Sequence, residues 1–249
     1  MEVKCKLCRC KGKLCNSHAI PDSLFKAIFR DNSGKAIKLS SLDDKPIEYS
    51  QDSWATEQLC EACEKKLNKN YELYSLKALS GKNVDFTRLD DGVLFESIDT
   101  QKIRDFIVAI LWRASISESP NYKAIELSNK LNESIRLSLN ISSSVSKRKI
   151  LVRGFKLIDT AEGGFTRENL RNFISSPFLR NYSVDEGKSS KVVCLVFLGY
   201  LFEIFINSYP KDNSYRHEFI GLDKKKYKFK FQEITINCGH PNVELSNIN

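Results

Sequence analysis

Apolar residues recur at helical spacing in the first part of this chain and at strand spacing in the last, with a polar break between them. From Cys60, the apolar positions Cys63, Leu67, Tyr71 and Tyr74 fall three or four residues apart. That spacing predicts an amphipathic helix running to about Leu79, with Gly81 placed to end it. Ser23 to Phe29 reads as a short helix after Pro21. Asp31 to Gln51 is polar and turn-rich and reads as loop or weak strands. Residues 85–98 read as a strand or linker. Asp99 can cap a helix over Thr100 to Arg113, in which Ile103, Phe106, Ile107, Ile110 and Leu111 form a broad buried stripe. A second helix is expected over Tyr122 to Leu139, with Ile125, Leu131 and Ile135 inward.

The break falls at Ser142 to Ser146. Beyond it, Lys149 to Ile158, Val192 to Leu198, Leu201 to Ile206 and Tyr227 to Ile236 have strand-like alternation or composition. Glu168 to Phe173 reads as a short helix and Pro241 to Asn249 as a loose tail. The apolar run Val192 to Ile206 is shorter than the roughly 20 residues that cross a bilayer, and it contains Gly199 and Glu203. It is therefore read as two buried strands meeting at Gly199-Tyr200, with no membrane partner. No internal repeat is visible. The expected class is α+β, divided into a module at 1–84, a helical extension at 85–144 and a mixed α+β domain at 145–249.

Composition changes this picture in two ways. The 249 residues are 41% hydrophobic, as in a globular protein, and carry a formal charge of +8. That charge allows a polyanionic partner but does not by itself identify one. Six of the eight cysteines lie within the first 63 residues. Such clustering suits metal binding better than a disulfide framework. The start Met-Glu-Val-Lys-Cys has no apolar signal core, so reduced thiols and a cytosolic location are expected.

The candidate chemistry follows from spacing. Cys5 with Cys8, and Cys60 with Cys63, each have the two-residue gap that lets one backbone turn present two thiolates. Together they supply the four sulfurs of a closed structural zinc site. Cys10 and Cys15 are rivals whose gaps do not form such a turn. Ser17-His18-Ala19-Ile20-Pro21 lies between the pairs, and Pro21 keeps His18 out of a helix interior. An imidazole at a strand end or turn there can accept a proton from water near neutral pH.

Cys-x-x-Cys, Ser-His-x-Ile-Pro and Leu-Cys-x-x-Cys-Glu entering a helix, in that order, resemble the zinc-bound branch of the HNH (ββα-metal) endonucleases. The resemblance spans residues 5–72, and Ile110 to Ser115 is similar to a helical extension found in that subgroup. Residues 145–249 resemble no family. The resemblance implies a treble-clef module in which zinc holds strand and helix in register. It implies a phosphodiester-hydrolysing site with His18 as general base and a catalytic Mg2+ or Mn2+ ion. Glu64 stands where the family often has its closing histidine or asparagine, and Asn68 and Glu72 follow on the same helical face. These three become candidate catalytic residues, with Glu64 and Asn68 as candidate ligands of the divalent ion. Lys4, Lys6, Arg9, Lys11 and Lys13, around the first cysteine pair, become candidate nucleic-acid contacts. DNA is the expected substrate, with an activating protein partner and a role in bacterial antiviral defence. The chain departs from the pattern at Ser17, where a metal-binding residue often stands, and in Ser53 to Thr56, which lacks the common asparagine. A zinc module without cleavage, binding nucleic acid or a protein, is the alternative.

Further features have blander readings. Arg113 ends an apolar helix and needs a carboxylate partner, expected within the core of the helical extension. Lys147 to Lys149 and Lys224 to Lys230 read as solvated charge. His217 and His240 have no ligand spacing around them, and Gly163-Gly164 reads as a turn.

Overall fold

The computed structural model describes residues 3–38, 48–185, 188–207, 217–222, 225–236 and 243–244. Cys238, His240, Lys224 and most of the predicted tail lie outside the described residues.

The chain opens with β1 (Cys15–Ser17), α1 (Asp22–Asp31), the short antiparallel pair β2 (Ala36–Lys38) and β3 (Glu48–Ser50), and β4 (Thr56–Leu59). β4 returns antiparallel to β1, with Cys15 opposite Leu59 and Ser17 opposite Thr56. The expected helix after Cys60 is present in three segments: α2 (Glu61–Leu67), a π-helical turn over Asn68–Glu72, and α3 (Leu73–Leu79). A π turn widens the ring of backbone hydrogen bonds and is often found at functional sites. Gly81, at φ 75°, ends the helix, and the next amide, Lys82 N, bonds back to Lys77 O at 2.8 Å.

The hairpin β5 (Asp85–Leu89) and β6 (Gly92–Glu96) leads into α4 (Thr100–Ser115), capped as expected by Asp99, whose carboxylate accepts from Lys102 N at 3.0 Å. α5 (Asn129–Asn140) starts later than the apolar pattern suggests. Pro120–Tyr122 forms a separate 3-10 turn, and Ser128 caps the helix by accepting from Leu131 N. Tyr122 and Ile125 are buried all the same, from the connection between the helices.

β7 (Ile150–Ile158), α6 (Arg167–Arg171), β8 (Phe178–Asp185), β9 (Lys188–Phe197), β10 (Tyr200–Ile206) and β11 (Tyr227–Glu233) follow, and β12 (Thr235–Ile236) pairs with β13 (Val243–Glu244). Seven strands form one sheet in the order β5-β6-β11-β7-β10-β9-β8, antiparallel except for β11 against β7. The hairpin at 85–96 is thus one edge of a sheet built mainly from the C-terminal strands. Gly92 has no side chain because β11 crosses too closely: a Cβ there would lie 2.5 Å from Phe229 O.

The apolar run at 192–206 forms β9 and β10, joined at Leu198 (φ 54°) and Gly199 (φ 71°), two positive-φ residues in a tight turn. It is apolar throughout because both faces are covered. Val193, Leu195 and Phe197 join the core against α4, where Phe106 and Phe197 meet edge to face. Val192, Cys194 and Val196 join a second core with Leu170 of α6. Among the described residues no helix is long and apolar enough to cross a membrane. The larger core runs without a break from Cys5 and Leu7 through α4 to Phe229, so the cysteine-bearing end and the sheet are packed as one body.

Candidate metal centre and adjoining cleft

Cys5 to Cys10 form a tight turn, with Cys5 N bonded to Cys10 O and Arg9 in the left-handed region at φ 66°. Cys60 is the N-cap of α2, and its amide donates to Cys5 Sγ at 3.3 Å. The Sγ atoms of Cys5, Cys8, Cys60 and Cys63 all lie within 4.8 Å of one another, and Cys8 and Cys60 are 3.9 Å apart. Tetrahedral zinc at about 2.3 Å from each sulfur separates the sulfurs by about 3.8 Å. The four thiols therefore fit zinc, and among the described residues no other group of three or more His, Cys, Asp or Glu is placed to hold a metal. Cys10 and Cys15 lie outside the cluster. Burial opposes the Cys5 thiolate, yet backbone amides of Cys60, Cys8 and Leu7 bring its pKa down to about 7. Burial pushes the Cys63 thiol up. From α5, Arg136 donates to Leu7 O and pairs with Glu133, which clamps the first turn to the helical layer.

The cysteine cluster and the β1–β4 pairing fix what comes next in the chain. The buried Ser17 hydroxyl accepts from Leu59 N at 3.1 Å, so β1 ends against the entry to α2. His18 follows at once. Pro21 then sets the entry to α1, with Asp22 as its first residue. The result is a cleft of about 560 Å3 lined by His18, Asp22, Glu64, Asn68, Glu72 and Arg113, with Lys65 and Lys69 also on its wall.

His18 has a side chain 17% exposed. Its Nε2 lies 2.9 Å from Ser53 Oγ and 3.4 Å from Asp22 Oδ1. Burial holds its pKa below the ordinary histidine value. Asp22 and Glu64 pull it up, while Arg113 and Lys26 push it down. The ring is therefore neutral at pH 7.

Across the cleft, Arg113 reaches out of the last turn of α4 with a side chain only 4% exposed. Nη2 donates to both oxygens of Glu64, at 3.1 and 2.8 Å, and Nη1 donates to Glu72 Oε1 at 2.7 Å. Asn68 Nδ2 donates to the remaining Glu72 oxygen at 3.3 Å. Burial raises the Glu72 pKa, against the opposing pull of Arg113 and Asn68. Arg113 thus finds its carboxylates on the helix that follows Cys60, outside the segment in which they were expected. All four carboxylate oxygens are taken. An octahedral Mg2+ or Mn2+ needs about six oxygens near 2.1 Å, so this acidic face does not fit a divalent ion while Arg113 holds it.

The basic residues near the first cysteine pair are partly committed elsewhere. Lys6 donates to Ile116 O at 2.8 Å and to Glu118 at 3.1 Å, and Arg9 meets Glu133 at 3.4 Å. Lys4, Lys11 and Lys13 are exposed. On the sheet, Lys226 pairs with Glu96, Lys228 with Asp91 and Lys230 with Glu218. His217 is exposed.

Asp22, Ser53 and Arg113 were missing from the site as read from sequence. Asp22 had a readable signal, four residues after His18 and first after Pro21. Ser53 had none, since it lies 35 residues away. Trp54, at φ 60°, holds that segment by packing edge to face on Phe25 and Tyr122, with ring centres 5.1 and 5.8 Å away. Neither a family model, a curated protein nor a solved structure matches this chain, so the reading of the cleft rests on its own residues.

Proposed function

We propose that this chain is a zinc-stabilised, HNH-like hydrolase of nucleic-acid phosphodiesters, acting first on DNA, with His18 as general base. The observation that carries the reading is a neutral, largely buried histidine opposite a clamped guanidinium, in a cleft adjoining four clustered thiols. In this reading the first turn, the β1–β4 pair and α2 are a treble clef. Zinc, when bound, supplies fixed register between His18 and α2 and no chemistry of its own. His18 takes a proton from water as the water oxygen bonds to phosphorus. The bond to the leaving sugar oxygen then breaks, and that oxygen is protonated from solvent. Arg113 is already balanced by Glu64 and Glu72, and Lys65 pairs with Glu61, so the positive charge facing the phosphate comes from Lys69 on the wall. Because the acidic face is closed by Arg113, no step is assigned to a divalent ion. An activating protein partner and a place in antiviral defence belong to the same proposal through the family resemblance.

A second reading is a zinc module that binds nucleic acid without cutting it. One observation favours it: Arg113 occupies both glutamates, which leaves the acidic face closed to a divalent ion. The test is incubation of supercoiled plasmid, single-stranded DNA and RNA with the protein in Mg2+, Mn2+, Zn2+ or EDTA. Wild type is compared with His18→Ala. Hydrolysis requires cleavage by wild type and a loss of about 10²- to 10⁴-fold in the variant, the usual contribution of a positioned base. Intact substrates in every condition, with binding retained, support the second reading.

A further inference from the structure

We infer that Asp22 and Ser53 are positioning residues that hold the His18 ring with its proton on Nε2, leaving Nδ1 as the nitrogen that accepts a proton. This rests on the proposed role of His18 as base, yet the tautomer can be read with no substrate present.

The argument is one of complementary donors and acceptors. Nε2 faces two oxygens, Ser53 Oγ at 2.9 Å and Asp22 Oδ1 at 3.4 Å. An ionised carboxylate only accepts, so a lone pair on Nε2 would be set against another lone pair. A proton on Nε2 removes that conflict. The Ser53 hydroxyl then accepts as well, because a hydroxyl can take either role. In a neutral imidazole the bond made by one nitrogen decides the state of the other.

Both partners are themselves held. Asp22 is the first residue of α1, where the helix dipole favours a negative charge. Its second oxygen, Oδ2, meets Lys26 Nζ at 2.5 Å, which turns Oδ1 toward the ring. Ser53 sits in the connection between β3 and β4, where Trp54 N donates to Asp52 Oδ1 at 2.8 Å and Trp54 packs edge to face on Phe25 and Tyr122. The other charges acting on His18 are Lys26 on α1, Glu64 on α2 and Arg113 on α4. These alter how readily the ring becomes charged. Among the described residues, only Asp22 and Ser53 address a particular nitrogen.

The test is two-bond 1H–15N correlation NMR on 15N-histidine-labelled full-length protein at a pH where the ring is neutral, with His18→Gln to assign its signal. Wild type is expected to show the Nε2–H tautomer. Asp22→Asn can turn an amide donor toward Nε2, so the population should move toward Nδ1–H, while Ser53→Ala should cause a smaller movement. A merely structural contact would leave the tautomer signature where it was. An Nδ1–H tautomer in wild type, or an unchanged signature in folded Asp22→Asn, overturns the inference. If Asp22→Asn does not fold, the wild-type spectrum together with Ser53→Ala decides. The predicted tautomer combined with no cleavage of any nucleic acid would sink the proposed function and leave this inference standing.

Discussion

Two arginines in this chain are each gripped by two glutamates, and their surroundings differ. Arg153, on β7, meets Glu203 at 2.6 Å and Glu218 at 2.9 Å on the face of the sheet that carries the second core. Phe155, Tyr182 and Phe205 lie 5.0, 5.2 and 5.5 Å from its guanidinium carbon. Glu203 is fully buried and also pairs with Arg180. None of Arg153, Glu203 and Glu218 lines the cleft that holds His18. Arg113 makes the same fork with Glu64 and Glu72, but beside His18 and an open cleft of about 560 Å3. An arginine held by two carboxylates is therefore not a functional signal by itself. The histidine and the open space beside it make the difference.

Several measurements would break or sharpen that contrast. The largest effect is expected from the cysteine centre, because Glu64 follows Cys63 directly and His18 is placed through β1. Metal analysis should find one zinc per chain. Zinc sites of this kind contribute about 10 kcal/mol or more to folding. Cys60→Ser or strong chelation should therefore unfold the Arg113 end, followed by near-ultraviolet circular dichroism, while Cys10→Ser leaves the zinc content unchanged. Loss of Arg113-end structure without loss of zinc would contradict the placement.

Next is the sheet cluster. Glu203→Gln removes a fully buried carboxylate from two half-buried arginines and should cost about 3–5 kcal/mol in denaturant unfolding. Glu64→Gln removes a partner that is 24% exposed, so it should cost less, about 1–2 kcal/mol. Equal costs would show that the two forks are energetically alike.

A smaller effect belongs to pH. The folded His18 pKa lies below the ordinary value of 6.5. The unfolded chain then binds more protons as pH falls through 6.5, so stability is full above that value and declines from it toward the folded pKa. His18→Gln should remove that share of the slope in stability against pH between 7 and 5. An unchanged slope would place the ring in water rather than in the cleft.

The smallest effect concerns nucleic-acid contact. Lys69→Ala should leave stability within about 0.5 kcal/mol of wild type. It should also reduce the salt dependence of DNA binding by about one phosphate's share. Lys6→Ala, which removes a cation already engaged with Ile116 O and Glu118, should change the salt dependence less. The reverse order would return the contact surface to the first cysteine turn.

Legibility in the sequence followed the range of the interaction. Local spacing carried the two cysteine pairs, the Asp99 cap, the turn at Gly199 and the one-sided placement of Glu64, Asn68 and Glu72, all set by neighbours a few residues away. Arg113 could be seen to need a partner. Which carboxylates it would find could not be seen, because they lie 41 and 49 residues off. Periodicity shows that a residue faces inward but not what it meets there. The same limit hid Ser53, and it hid the pairing of β6 with β11, whose registers are joined across more than a hundred residues. The start of α5 was misplaced for a different reason: Tyr122 and Ile125 are buried like helical residues, while Pro120 and the Ser128 cap divide the segment.

The most direct test of the central claim is single-turnover cleavage of a labelled DNA duplex by wild type and His18→Ala, both verified to carry equal zinc and equal stability. The account predicts product with wild type and at least a hundredfold loss in the variant. Equal rates for the two proteins would contradict it.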